Sequence, residues 1–119
     1  MGQPVTAWQI VTKKPEELHA FYSQLFGWEI NANNALGYRI VDTGSEHGID
    51  GGIWPAPPGG PDFIQLFIEV DDVAATAQKV VALGGKIIIP PQKLPDGDEM
   101  AILHDPAGIA FGLKRRMAE

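Results

Sequence analysis

Carboxylates and amides carry most of the reactive potential of this chain, which has no cysteine and three histidines, His19, His47 and His104. Without a thiolate there is no Cys-based zinc site, no cysteine nucleophile and no disulfide framework, so the expected compartment is the cytoplasm. Each histidine has a structural reading. His19 lies off the apolar stripe of a helix and is expected to face solvent, His47 sits in the turn formed by Ser45, Glu46 and Gly48, and His104 precedes Asp105-Pro106, where a polar side chain satisfies a turn. No nucleophile stands beside a base in a recognisable arrangement. Gly84-Gly85 follows a helix instead of opening one, so it is not a phosphate cradle, and Asp71-Asp72 reads as a helix cap. What remains is a pair of carboxylates on strands, Asp50 and Glu69, either of which could serve as a general base if held close to a substrate and away from water.

The elements that must position these groups are short and sharply punctuated. Fourteen glycines and ten prolines gather between apolar runs, as tight turns between many small elements require. Val5 to Val11 reads as a strand; Pro15, Glu16 and Glu17 then open a helix whose apolar positions Leu18, Phe21, Tyr22, Leu25 and Phe26 follow helical spacing, and Gly27 ends it. Strands follow at about 28–31, 38–42 and 49–54. The second half repeats the pattern. Phe63 to Val70 is a strand, Asp71-Asp72 caps a helix with the stripe Val73, Ala77, Val80 and Val81, and strands follow at about 86–89, 100–104 and 109–114. Asn33-Asn34, Asp96-Gly97-Asp98 and Asp105-Pro106-Ala107-Gly108 supply the turns.

A shift of 58 lays Leu83 on Leu25 and Gly85 on Gly27, and a shift of 60 later lays Gly108-Ile109 on Gly48-Ile49 and Gly112-Leu113 on Gly52-Ile53. The chain therefore reads as one domain, 1–119, made of a module at about 4–55, a proline-glycine linker at 55–61 and a second module at about 62–116. With 45% hydrophobic and 20% charged residues it should fold around one core. A net charge of −6 argues against nucleic acid or an anionic membrane as partner, and Lys114, Arg115 and Arg116 read as a solvated tail. The N-terminus lacks the pattern of a signal peptide, and no apolar run approaches the roughly 18 residues of a membrane span.

Phe21-Tyr22-Ser23-Gln24-Leu25-Phe26-Gly27-Trp28 resembles the signature ending the first helix of glyoxalase/bleomycin-resistance/dioxygenase (vicinal oxygen chelate) proteins. Glu69-Val70-Asp71-Asp72-Val73 resembles their second strand-to-helix junction, and Asp105-Pro106-Ala107-Gly108 their last hairpin. The resemblance implies an α+β fold of two tandem βαβββ modules forming a curled eight-stranded sheet around a cleft, usually in a homodimer. It also implies where a divalent metal would be held: one position on the first strand and one on the last strand of each module, here Ala7, Gln65, Gly52 and Gly112. Only Gln65 has a donor side chain, and one neutral amide cannot repay a divalent ion's lost hydration. No metal and no other cofactor is expected at these positions.

If Ala7 and Gln65 point inward as the family implies, period-two alternation brings Gln9, Phe67 and Glu69 with them, and Asp50, Gly52 and Trp54 by the same parity. Trp8, Ile10, Leu66 and Ile68 should then pack beneath the helices. The candidate ligand-binding set is Gln9, Asp50, Trp54, Gln65, Phe67 and Glu69, two amides, two carboxylates and two large rings suited to a small organic ligand. Gly52 and Gly112 would lower the floor of that surface, or else mark a bend. The leading expectation is a metal-free small-molecule binder. Two alternatives stay open: a lyase, isomerase or dioxygenase with metal held by displaced ligands such as Gln65, His104 and Glu69, with His47 a further donor, and a metal-independent epimerase or lyase using Glu69 or Asp50 as base.

Overall fold

The computed structural model describes residues 2–32, 38–93 and 98–115. The turn Asn33-Asn34, the pair Asp96-Gly97 and Arg116 lie outside the described residues. Eight strands and two helices follow one another as β1 (Val5–Thr12), α1 (Pro15–Phe26), β2 (Glu29–Asn31), β3 (Arg39–Asp42), β4 (Gly51–Pro55), β5 (Phe63–Val70), α2 (Val73–Ala82), β6 (Lys86–Lys93), β7 (Glu99–His104) and β8 (Ala110–Arg115). This is the βαβββ order twice over. By compactness the chain divides into Ala7–Ile64 and a second unit running from Gln65 onward, joined by the N-terminal arm up to Thr6. The arm belongs there because the Glu69 backbone N–H donates to the Pro4 carbonyl at 3.0 Å.

In the first unit the strand order is β2-β3-β4-β1, and in the second β5-β8-β7-β6. Each unit pairs its first and last strands in parallel, in the same register: Gln9 faces Gly52 across β1 and β4, and Phe67 faces Gly112 across β5 and β8. Those are the pairs that the shifts of 58 and 60 superpose. The internal repeat is thus a repeat of strand pairing as well as of punctuation.

Local chemistry accounts for the helix ends. Pro15 occupies the first turn of α1, where its missing N–H costs nothing, and Gly27 closes the helix at φ 71°, its N–H donating to the Ser23 carbonyl at 2.9 Å. Asp72 caps α2, its carboxylate accepting from the Ala75 N–H at 3.0 Å. Pro90 and Pro91 lie inside β6, which runs further than the predicted 86–89. They are tolerated because β6 is an edge strand whose pairing with β7 shifts register between Ile87 and Ile89 and again between Ile89 and Gln92.

The two helices pack differently. In the second unit α2 buries Val73 and Ala77 against Val70, Ala101, Leu103 and Leu113, with Ile68, Val80, Ile87 and Phe111 around them. In the first unit Val41 and Ile53 are fully buried, but α1 has no buried residue, and Phe21, Leu25 and Phe26 are each more than half exposed. Its contact with the sheet runs through aromatic rings: Tyr22 stacks on Trp28 at 5.4 Å, and Trp28 meets Trp8 at 5.3 Å and Phe26 at 5.1 Å. Trp8 lies on the helix side as expected, and Ile68 does likewise in the second unit. Leu66 differs, being about half exposed.

A carboxylate ties the chain entering β5 to the chain leaving β1. Asp62 accepts from the Lys13 N–H at 2.9 Å and from the Thr12 hydroxyl at 3.0 Å, and Thr12 Oγ1 in turn accepts from the Lys14 N–H at 3.1 Å. The Lys13 backbone bond first, then the Thr12 hydroxyl and the charges of Lys13 and Lys14, hold the Asp62 carboxyl below its ordinary 3.8. A depressed folded-state pKa contributes stability that is complete above the unfolded value and disappears as pH falls through the folded one. Asp62→Asn should therefore lower stability more at pH 7 than in strong acid, as read from urea midpoints under the two conditions.

Candidate functional site

Each sheet has one face covered by a helix and one free of it, and alternation assigns the side chains. In the first unit, β1 sends Gln9 to the helix-free face, β4 sends Gly52 and Trp54, and β3 sends Ile40, opposite Gly52. Tyr38, just before β3, belongs to the same face: its ring lies 5.1 Å from that of Trp54, tilted by 55°, and its hydroxyl shares a hydrogen bond with the Gln9 side chain. Gln9 is buried, at 3% exposure. Gly52 explains how the ring fits. A Cβ at residue 52 would stand 2.6 Å from Tyr38 Cε1 and nearer still to Cζ and the hydroxyl, so the phenol occupies the space a side chain there would need. Burial raises the Tyr38 pKa above its ordinary 10.0, partly countered by the Gln9 bond, and the phenol stays protonated at neutral pH.

The second unit repeats the device with a different ring. Gln65, Phe67 and Glu69 alternate along the helix-free face of β5, with Gln65 at 3% and Phe67 at 6% exposure and Glu69 half-buried. Gly112 faces Phe67, and a Cβ there would stand 2.5 Å from Phe67 Cδ1 and 2.8 Å from Cζ. Farther along β8, Lys114 pairs in register with Glu69 and reaches Asp98 Oδ2 at 3.9 Å. Lys114 and Arg115 thus belong to a strand and not to a solvated tail.

Asp50 is the predicted site residue that lies apart. Strand β4 begins at Gly51, one residue later, and Asp50 is exposed, its Oδ1 accepting from the Thr43 N–H at 3.0 Å and the Thr43 hydroxyl at 3.1 Å. The histidines do not gather. His19 is partly buried instead of facing solvent, its Nδ1 accepting from Arg39 Nε at 3.3 Å; His47 lies in an exposed turn, and His104 ends β7. Tyr38 is the residue that strand reading missed. The signal that could have found it is the pairing of an aromatic ring with a glycine on a neighbouring strand.

The positions at which the resemblance places metal ligands do not fit a metal. Ala7, Gly52 and Gly112 have no donor, and the space beyond the two glycines is filled by Tyr38 and Phe67. The displaced set fares no better as a cage, since His104 on β7 is separated from Gln65 and Glu69 on β5 by the intervening β8, about 10 Å between strands. Among the described residues no group of three or more His, Asp or Glu side chains could hold an ion.

The model of the Glyoxalase/Bleomycin resistance protein/Dioxygenase superfamily matches residues 5–113. The chain belongs to this superfamily. It is 34% identical over 110 residues, 88% of this chain, to a Mycobacterium tuberculosis protein named "Putative glyoxylase CFP32", and 30% identical over 112 residues to the anthracycline biosynthesis protein DnrV of Streptomyces peucetius. It spans 41% of the length of each of these relatives. A solved methylmalonyl-CoA epimerase from Mycobacterium tuberculosis has the same fold, with a TM-score of 0.65 at 13% identity over 96% of this chain and 88% of that one. The superfamily's fold of paired βαβββ modules is thus present, as the residue spacing predicts. No helix among the described residues is long and apolar enough to cross a membrane.

Proposed function

We propose that this chain is a metal-independent member of the superfamily that binds a small organic ligand on the helix-free faces of its modules. The observation that carries the reading is the aromatic ring seated over glycine at each last-strand position, Tyr38 over Gly52 and Phe67 over Gly112, where a metal-binding member would need a carboxylate. Amides beside the rings, Gln9 and Gln65, supply hydrogen bonds, and Trp54 supplies a flat surface. A homodimer is part of the reading, supported by the exposed Phe21, Leu25 and Phe26 of α1. Equilibrium dialysis against zinc, nickel, manganese and ferrous iron should find less than a tenth of an equivalent bound, while thermal-shift screening with planar aromatic compounds should give saturable stabilisation. Near-stoichiometric metal would sink the proposal.

One arrangement favours a second reading, a metal-independent epimerase or lyase. Glu69 shares its face with Gln65 and Phe67 and has Lys114 as its register partner, so a carboxylate base and a cation stand on neighbouring strands. Glu69→Gln should then abolish turnover of an α-proton-bearing thioester or hemithioacetal while leaving its binding unchanged. Turnover that survives in Glu69→Gln would exclude this base.

A further inference from the structure

The two units leave apolar side chains uncovered at positions that the internal repeat relates. Leu25 and Leu83, Ile49 and Ile109, and Trp8 and Leu66 are superposed by the shifts of 58 and 60. Five of these six are exposed, Leu83 and Ile109 the most so at 79% and 64%, and Trp8 is partly buried. In the first unit they join a continuous patch. The Ile49 carbonyl accepts from Trp8 Nε1 at 3.1 Å, Trp8 meets Trp28, Trp28 meets Phe26 and Tyr22, and Tyr22 meets Phe21 edge to face at 5.1 Å. Leu25 lies one helical turn after Phe21 on the same side of α1. In the second unit Leu83 ends α2 beside Gly84, where a Cβ would stand 3.7 Å from Pro106 Cγ. Pro106 shares with Ile109 the hairpin in which the Asp105 N–H donates to the Ile109 carbonyl at 3.0 Å. Single exposed apolar residues need no explanation, but a patch built twice does.

The two patches are complementary and not alike. Phe21 and Trp28 of the first correspond in the repeat to Lys79 and Lys86 of the second. The first patch is aromatic, adjoins Glu29 and Glu46 in the chain, and has no basic residue in the last turn of α1. The second is aliphatic, with Lys79 in the last turn of α2 and Lys86 opening β6. All four of these charged residues are exposed, and none forms an ion pair among the described residues. Asp105, the carboxylate in the second patch's hairpin, is engaged by the Ala107 and Ile109 N–H groups at 2.9 and 3.0 Å. Ammonium groups are drawn both to ring faces and to carboxylates. We propose that the first patch of one copy packs on the second patch of another, and that a two-fold axis closes both contacts into a homodimer. This rests on the homodimer part of the reading above and names its surfaces. The length of the relatives agrees with it, since more than half of each lies outside the span of this chain, room for a second chain of this size in one polypeptide.

Analytical ultracentrifugation of the wild type and two charge variants tests this pairing. Leu25→Lys sets a cation against Lys79 and Lys86, and Leu83→Glu sets a carboxylate against Glu29 and Glu46. Each variant alone damages both contacts of the pair and should raise the dimer dissociation constant by about 100-fold or more. Mixed in equal amounts, the two should recover the dimer, because one contact is then wild type on both sides and the other joins the introduced charges of opposite sign. Both leucines are exposed, so the far-ultraviolet circular dichroism of the variants should match the wild type. Lys79→Glu combined with Lys86→Glu leaves the apolar side chains intact and should weaken the dimer about tenfold, which keeps the test decisive if a leucine variant fails to fold. A dimer that survives Leu25→Lys and the double lysine variant, or a mixture that stays monomeric, overturns the pairing of unlike patches and leaves a homodimer through another surface standing. A wild-type chain that is monomeric at every concentration, whether or not it adsorbs to vesicles or to another protein, overturns both the pairing and the homodimer. Neither result touches the binding of a ligand without metal, which is read by dialysis and thermal shift.

Discussion

Replacing Phe67 by alanine should lower the stability of the protein by about 3–5 kcal/mol, a large share of the roughly 5–15 kcal/mol that holds a domain of this size together. The ring is 6% exposed and lies over Gly112, so its removal leaves both an apolar void and an uncovered stretch of backbone on β8. The partner substitution should show the same contact from the other side. Gly112→Ala places a methyl 2.5 Å from Phe67 Cδ1, and relieving that overlap by moving the ring should cost about 1–3 kcal/mol. In the double variant the methyl enters the space the ring has left, so the combined loss should fall short of the sum by at least about 1 kcal/mol. Urea denaturation of the four proteins, read from midpoints at unchanged m, measures this coupling. Strict additivity would show that the ring does not depend on the glycine.

The second large effect is expected at Leu103, which is fully buried on β7 among Val70, Val73, Ala77, Ala101 and Leu113. Leu103→Ala should cost about 2–5 kcal/mol, the spread reflecting how far α2 can settle into the space. Leu66→Ala deletes the same atoms from a side chain that is half exposed, and should cost about 1 kcal/mol or less. The comparison separates burial from composition. Both leucines lie in strands, so similar losses at the two sites would contradict the packing described for the second unit.

Why Leu66 departs from the pattern shows how far residue order alone reaches. Alternation says which residues share a face, but it does not say how much of that face a helix covers. In the second unit the buried cluster includes Val70, with Ile68 at its edge, whereas Leu66 is half exposed. The apolar stripe of α1 gives the same lesson. Its spacing is helical throughout, yet Phe21, Leu25 and Phe26 remain largely exposed because Tyr22 and Trp28 provide the contact with the sheet side.

Asp50 illustrates a sharper limit. A strand beginning one residue later removes it from the face that parity assigns and gives its carboxylate to Thr43 instead. Gln9, Trp54, Gln65, Phe67 and Glu69 each fall within a strand, so the period-two alternation that groups them applies to the strands as they form. Tyr38 was not reachable in this way. It opens the strand expected at 38–42, but its seat comes from a glycine that is distant in the chain and close in space.

Residue order by itself determined the duplicated βαβββ architecture, the caps at Pro15, Gly27 and Asp72, and the lack of donors at three of the four positions where this superfamily would hold a metal. These follow from local backbone chemistry and from residue identity, which need no knowledge of neighbours in space. Tertiary structure alone decided what Gly52 and Gly112 are for. Read along the chain, each glycine suits an open floor or a bend, and only cross-strand pairing shows that each makes room for a ring, a phenol in one module and a phenyl in the other. The vacated ligand positions are therefore filled, because in a close-packed sheet the space released by a missing side chain is taken by the nearest side chain able to reach it.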